Sequence, residues 1–228
     1  MTARYTLLTG PYGSGKTELS LALIRHFRKH SAGRVALVDL DIVNPYFRGG
    51  EQKEALTAEG IEVLMPSFAL SAVDIPALPA DIQRIFDTEY DRVVIDVGGD
   101  DTGAAALGRY FPEWEARREQ MQTLYVINPL RPFSAAVNDI AAMFGLIGSR
   151  ARLRPDCLVN NANLQGETTA RHLIDAQALL EKVSGQLCVP VGMVAGEERL
   201  RAQLPPAMRR LFFPIVPVMK PGWLEDAP

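Results

Sequence analysis

Gly10-Pro11-Tyr12-Gly13-Ser14-Gly15-Lys16-Thr17 fits the phosphate-binding pattern G-x-x-x-x-G-K-[ST] in the setting that pattern demands. The apolar run Tyr5-Thr6-Leu7-Leu8-Thr9 leads in, and a helix-like run from Glu18 to Lys29 leads out. Phosphate chemistry explains the residue types. Gly10, Gly13 and Gly15 let backbone N–H groups, those of Tyr12 and Ser14 among them, approach phosphate oxygens closely. Lys16 places a point charge near the β- and γ-phosphates, and the Thr17 hydroxyl can join the coordination of Mg²⁺. The helix that follows, with Glu18 in its first turn, adds the positive end of its dipole. The plainer reading is a glycine turn followed by a surface lysine, and the strand and helix flanks argue against it.

Working outward, the chain has 228 residues, 47% hydrophobic and 22% charged, enough for a substantial core in one large nucleotide-binding domain over 1–228. Its net charge of −3 argues against a surface built to neutralise nucleic-acid phosphates, so no nucleic-acid partner is expected. Met1-Thr2-Ala3-Arg4 passes straight into the first strand, and no long unbroken apolar stretch occurs. A cytoplasmic protein with no membrane anchor is the expectation. Cys157 and Cys188 each sit in an apolar run and are expected as free buried thiols. From about residue 204, Pro205, Pro206, Pro214, Pro217, Pro221 and Pro228 predict an extended tail.

Short, nearly continuous apolar runs recur at 35–39, 92–96, 123–127, 157–160 and 188–191, separated by helical patterns. Helices are predicted near 51–59, 79–88, 102–118, 134–148 and 168–184, with Ser134 and Thr168 or Thr169 as N-caps. Strands buried on both faces and alternating with helices predict a three-layer, doubly wound α/β fold with a mostly parallel sheet, the P-loop NTPase fold. Ligands of such sheets bind beyond the carboxyl ends of the strands. That rule singles out Asp39 and Asp41, Asp96 with Gly99, Asn128, and Asn160 with Asn161.

Asp96 opens Asp96-Val97-Gly98-Gly99-Asp100-Asp101, where a carboxylate can hold Mg²⁺ through water and the Gly99 amide can approach a γ-phosphate. Asp100 and Asp101 read as capping or surface residues. Asp39 and Asp41 leave a strand tip opposite the phosphate loop, where they can divide between them the holding of magnesium's water and the orienting of the attacking water. Asn44-Pro45 then turns the chain, and Arg48 reaches phosphate, a partner or solvent. His26, His30 and His172 fall in predicted helices at spacings unsuited to a shared metal site, so they read as solvent-facing. Asn160 and Asn161 are candidates for a purine edge; no NKxD guanine signature accompanies them.

Taken in order, the phosphate loop, VDLDIVNPYFR, VVIDVGGD, VINP and the asparagine-bearing fifth strand resemble the MinD/ParA (CobQ/CobB/MinD/ParA) group of SIMIBI-class P-loop NTPases over residues 5–195. The resemblance implies that Lys16 and Thr17 bind phosphate and magnesium, that Asp41 or Asp39 positions water in a first switch segment, and that Asp96 to Gly99 begin a second. It also implies ATP in preference to GTP. Pro11 stands where MinD and ParA carry a second lysine that reaches across a nucleotide-sandwich dimer, so a homodimer here lacks that lysine. The loop is also similar to those of urease and hydrogenase maturation GTPases, whose metal-binding cysteine and histidine motifs are absent. Neither a CxxC motif nor a basic amphipathic C-terminal helix is present, and Arg209-Arg210-Leu211-Phe212-Phe213 reads as an edge strand or packed tail.

The function expected is a slow Mg²⁺-dependent ATPase whose bound nucleotide orders the 41–48 and 97–103 loops and thereby switches binding to a protein partner. A second reading is phosphoryl transfer to, or ligase-type activation of, a small molecule, as in dethiobiotin synthetase, with 64–76 forming an acceptor pocket. A third is a non-catalytic nucleotide sensor.

Overall fold

The computed structural model describes residues 3–41, 50–65, 80–99 and 101–218. Asn44, Pro45, Arg48, Asp100 and most of the 64–76 acceptor segment lie outside the described residues. Among the described residues eight strands form one sheet: β1 Tyr5–Thr9, β2 Val35–Leu40, β3 Ile61–Leu64, β4 Arg92–Val97, β5 Met121–Ile127, β6 Cys157–Asn160, β7 Val191–Gly196 and β8 Phe212–Pro214. Their order is β3-β2-β4-β1-β5-β6-β7-β8. Every pairing is parallel. The sheet is therefore more uniform than the mostly parallel one expected.

Alternation along the strands divides the core. Leu7, Val38, Ile95, Tyr125, Ile127 and Leu158 face a cluster that also takes Phe86, Trp114, Phe144 and Leu180. Leu8, Leu37, Val94, Leu124, Val126 and Val159 face the opposite one with Leu19, Leu23, Ile24 and Leu56. Helices α1 (Lys16–His30) and α2 (Gly50–Ala58) thus cover one face. Helices α3 (Ala80–Asp87), α4 (Asp101–Gly108), α5 (Phe111–Glu115), α6 (Val137–Ala151) and α7 (Ala170–Leu187) cover the other. With both faces buried, apolar residues at consecutive positions are what a parallel strand requires.

Several boundaries differ from expectation, each for a local reason. The helix expected over 102–118 is two, because α4 ends at Gly108 and Pro112 restarts the chain at the first turn of α5. Helix α6 begins after a 3-10 turn at Pro132–Ser134, with Ala136 and not Ser134 as its N-cap. Thr169 does cap α7, in a capping box completed by the His172 side chain. The strand expected over 188–191 starts only at Val191, because Cys188 takes the left-handed conformation at the C-cap of α7. Cys157 is buried and free, but Cys188 is exposed, contrary to the buried thiol expected. A short helix α8 (Glu198–Arg201) follows β7, and the tail expected to be extended from about 204 instead contains α9 (Pro206–Leu211) before the edge strand β8. Among the described residues no helix is long and apolar enough to cross a membrane.

Candidate phosphate-binding site

Strand β1 delivers the chain to the carboxyl edge of the sheet, and the loop Gly10–Gly15 turns it into α1. The turn is tight. Gly10 has φ 141°, and a Cβ there would lie 2.3 Å from the Val126 carbonyl oxygen of β5, so only glycine fits. Ser14 N–H donates to the Pro11 carbonyl at 3.2 Å, closing the loop. Gly15 is the N-cap of α1 and supplies no side-chain partner for the first-turn N–H groups. They therefore face the loop's hollow, the arrangement that an oxyanion satisfies. Lys16 is buried and its Nζ donates to the Pro11 carbonyl at 3.1 Å. Tyr12 points outward, 75% exposed.

Strands β2 and β4 bring the acidic residues to the same place. Asp39 and Asp96 are direct partners across the ladder, so their side chains leave the sheet side by side toward α1. Both are buried, at 1% and 2% exposure. The Asp39 carboxylate accepts the Asp41 N–H at 2.9 Å, which folds the chain back as it leaves β2. Burial pushes the Asp96 carboxyl up to about 6, although the Lys16 ammonium and the Thr17 hydroxyl pull it down; Asp41 adds to the rise. Asp96 Oδ1 is buried with no hydrogen-bond partner. Two adjacent buried carboxyls, one with an oxygen to spare, suit a hard cation. Among the described residues no group of three or more His, Cys, Asp and Glu is arranged to hold a metal alone. Thr17, Asp39 and Asp96 would therefore share Mg²⁺ with water and phosphate oxygens, as that ion's preference for keeping part of its hydration allows.

Gly99 closes the site from the β4 side. A Cβ at Gly99 would stand 2.8 Å from Lys16 Nζ and 2.6 Å from Tyr12 N, so the backbone after β4 rests directly on the phosphate loop. The two asparagines at the end of β6 also make contacts within the chain. Asn160 is fully buried, and its amide donates to the Leu173 carbonyl at 2.9 Å and to Gln177 Oε1 at 3.2 Å. It points into α7. Asn161 Nδ2 donates to the Ser14 carbonyl at 2.7 Å, bracing the phosphate loop, while its Oδ1 is buried and unpartnered. Glu18 accepts the Val218 N–H and so holds the tail against the first turn of α1. His26 and His30 are exposed on α1, as expected of solvent-facing histidines, and being four apart their rings lie with centroids 4.4 Å apart.

Asn128 carries more than strand termination. Its Oδ1 accepts the N–H groups of Leu130 and Asn163, and its Nδ2 donates to the Asn163 carbonyl at 2.9 Å. Asn163 and Thr168 extend that network, and Arg199 donates to the Thr168 carbonyl at 3.2 Å. The segments after β5, β6 and β7 are thereby joined by hydrogen bonds into one rim. A polar cluster immediately after consecutive strands was the available sequence signal for it.

No family model and no curated protein sequence matches the chain. Solved structures do. The cell division protein FtsY from Thermotoga maritima is 18% identical with a TM-score of 0.56, the match covering 86% of this chain and 62% of that one. The chloroplast FtsY from Physcomitrella patens is 16% identical with a TM-score of 0.54, covering 85% and 59%. The signal recognition particle receptor FtsY from Elizabethkingia anophelis, in complex with GDP, is 18% identical with a TM-score of 0.53, covering 86% and 58%. The chain thus spans about three fifths of the FtsY chains it matches. At these identities the likeness is one of fold: an α/β P-loop NTPase architecture.

Proposed function

We propose that this protein is a Mg²⁺-dependent nucleoside triphosphatase of the MinD/ParA-like group that acts as a nucleotide-dependent switch on a protein partner. The observation that carries the reading is the Gly99 backbone lying against Lys16 and Tyr12. A γ-phosphate seated on Lys16 needs that space, so its arrival shifts the segment after β4 and its loss releases it. Binding then has a structural readout at the protein surface beside the exposed Tyr12.

In this reading the loop amides from Tyr12 to Thr17 receive the phosphates, and Lys16 exchanges the Pro11 carbonyl for phosphate oxygens. A bound Mg²⁺ neutralises charge on the phosphates. Asp41, the least buried of the three acids, orients the attacking water. Asp96 holds the cation side of the site and must be ionised to do so.

The base proposed is adenine. With Asn160 turned into α7, the stretch 161–163 offers Asn161 and Asn163 but no carboxylate to receive the paired N–H donors of guanine. The buried, unpartnered Asn161 Oδ1 can accept from the adenine amino group. A second reading, GTP, draws support from the GDP complex of the FtsY neighbour. Calorimetric titration of the protein with Mg²⁺ and each triphosphate decides between them, and phosphate release measured alongside tests hydrolysis. The triphosphatase reading fails if neither nucleotide binds, or if Lys16→Ala leaves affinity unchanged.

A further inference from the structure

At the opposite edge of the sheet, where α1 ends about 22 Å from the phosphate loop at 1.5 Å per residue, a second cavity of about 440 Å³ opens. Its lining includes the apolar side chains of Phe27, Met193 and Phe213. Its rim is cationic or titratable: His26, His30, Arg92 and Arg210. The aromatic groups are in mutual contact. His26 meets Phe213 edge-on at 5.4 Å and His30 at 4.4 Å, and the Arg92 guanidinium lies 5.9 Å from the Phe27 ring centre.

The charge balance is uneven. The one carboxylate lining the cavity, Asp91, already accepts from the Ser31 hydroxyl at 2.6 Å and the Gly33 N–H at 2.9 Å. Arg92 donates to the Asp91 backbone carbonyl at 2.6 Å, and its charge also acts on the Asp91 carboxylate, so one acid stands against two arginines at this cavity. Arg210 is exposed. Concave, partly aromatic sites of this volume are typical of small-molecule pockets. Guanidinium groups at such a rim recognise oxyanions, carboxylate and phosphate among them.

We propose that this cavity binds a small aromatic anion, its ring seated against Phe213 and Phe27 and its carboxylate or phosphate held by Arg92 and Arg210. The site is separate from the phosphate loop and does not depend on the triphosphatase reading. The aryl sulfonate 8-anilinonaphthalene-1-sulfonate is a suitable probe, because it joins an apolar ring system to one anionic group and fluoresces when removed from water.

Titration of the full chain with this probe is expected to show one saturable site, retained in Lys16→Ala and in the presence of Mg²⁺ with ATP or GTP. Arg210→Glu is expected to weaken it tenfold or more. Arg209→Glu makes the same change of charge one residue away but outside the cavity lining, and is expected to weaken it less than threefold. N-phenyl-1-naphthylamine, which lacks the sulfonate, is expected to bind at least tenfold more weakly. Equal losses in the two arginine variants, equal binding of the uncharged analogue, displacement by nucleotide, or no saturable binding would each overturn the proposal.

Discussion

Asp96 shows how one residue sets opposite demands on stability and function. Its folded-state carboxyl is raised from 3.8 to about 6, chiefly by burial. The folded protein therefore holds its proton more tightly than the unfolded chain, and without nucleotide stability falls as pH rises from about 4 to about 6. Two units correspond to about 3 kcal/mol. We expect Asp96→Asn to flatten this pH profile in urea melts and to stabilise the nucleotide-free protein at pH 7. The same substitution should weaken Mg²⁺-dependent nucleotide binding at least tenfold. In the native protein, affinity for Mg²⁺-nucleotide should fall as pH drops below about 6, because a cation requires the ionised carboxylate; calorimetry at pH 5 and pH 7 checks this. Asn161 marks the limit of the sequence at this scale. Its position after β6 was legible, but its use as a brace rests on a contact with Ser14 across 147 residues of chain. No local pattern encodes that contact.

Among the elements, the β1–loop–α1 unit was the most legible, because phosphate chemistry fixes residue types at fixed spacing. Gly10→Ala tests the tightness of its turn. The added methyl would meet the Val126 carbonyl, and the φ of 141° is one that L side chains rarely adopt. A loss of about 3 kcal/mol or more is expected in denaturant melts. Thr169→Ala, which removes the cap of α7, should cost only about 1 kcal/mol in the same assay. Other elements were less legible for physical reasons. Strand β3 has four residues with Glu62 among them, and Glu62 faces out to pair with Arg34 and Arg84 at 2.8 and 3.0 Å. So short and interrupted a run carries little periodic signal. Strand β7 begins three residues beyond its expected start because the left-handed turn at Cys188 belongs to the preceding helix. Backbone handedness at a non-glycine residue is a tertiary outcome, not a sequence pattern.

At the scale of the whole molecule, the alternation of strands and helices was enough to establish the layers, since a doubly wound sheet is the arrangement that buries both faces of such strands. Which strands neighbour which was not legible, and it is this order that sets Asp39 beside Asp96. If the site binds as proposed, nucleotide with Mg²⁺ at a hundred times its Kd should add about 2.7 kcal/mol to the stability of the molecule. Differential scanning fluorimetry should show the corresponding rise in Tm, and EDTA should abolish it. The exclusively parallel sheet bears on kinetics as well. Tyr5 pairs with Val93 on one side and with Met121 on the other, so the centre of the sheet cannot zip up from hairpins. Large loops must close before those pairings repay their entropy, which makes contact order high. Stopped-flow refolding should accordingly be slow beside that of a helical bundle of equal length, and unpaired strand edges exposed in the interval would make the nascent chain a client for chaperones.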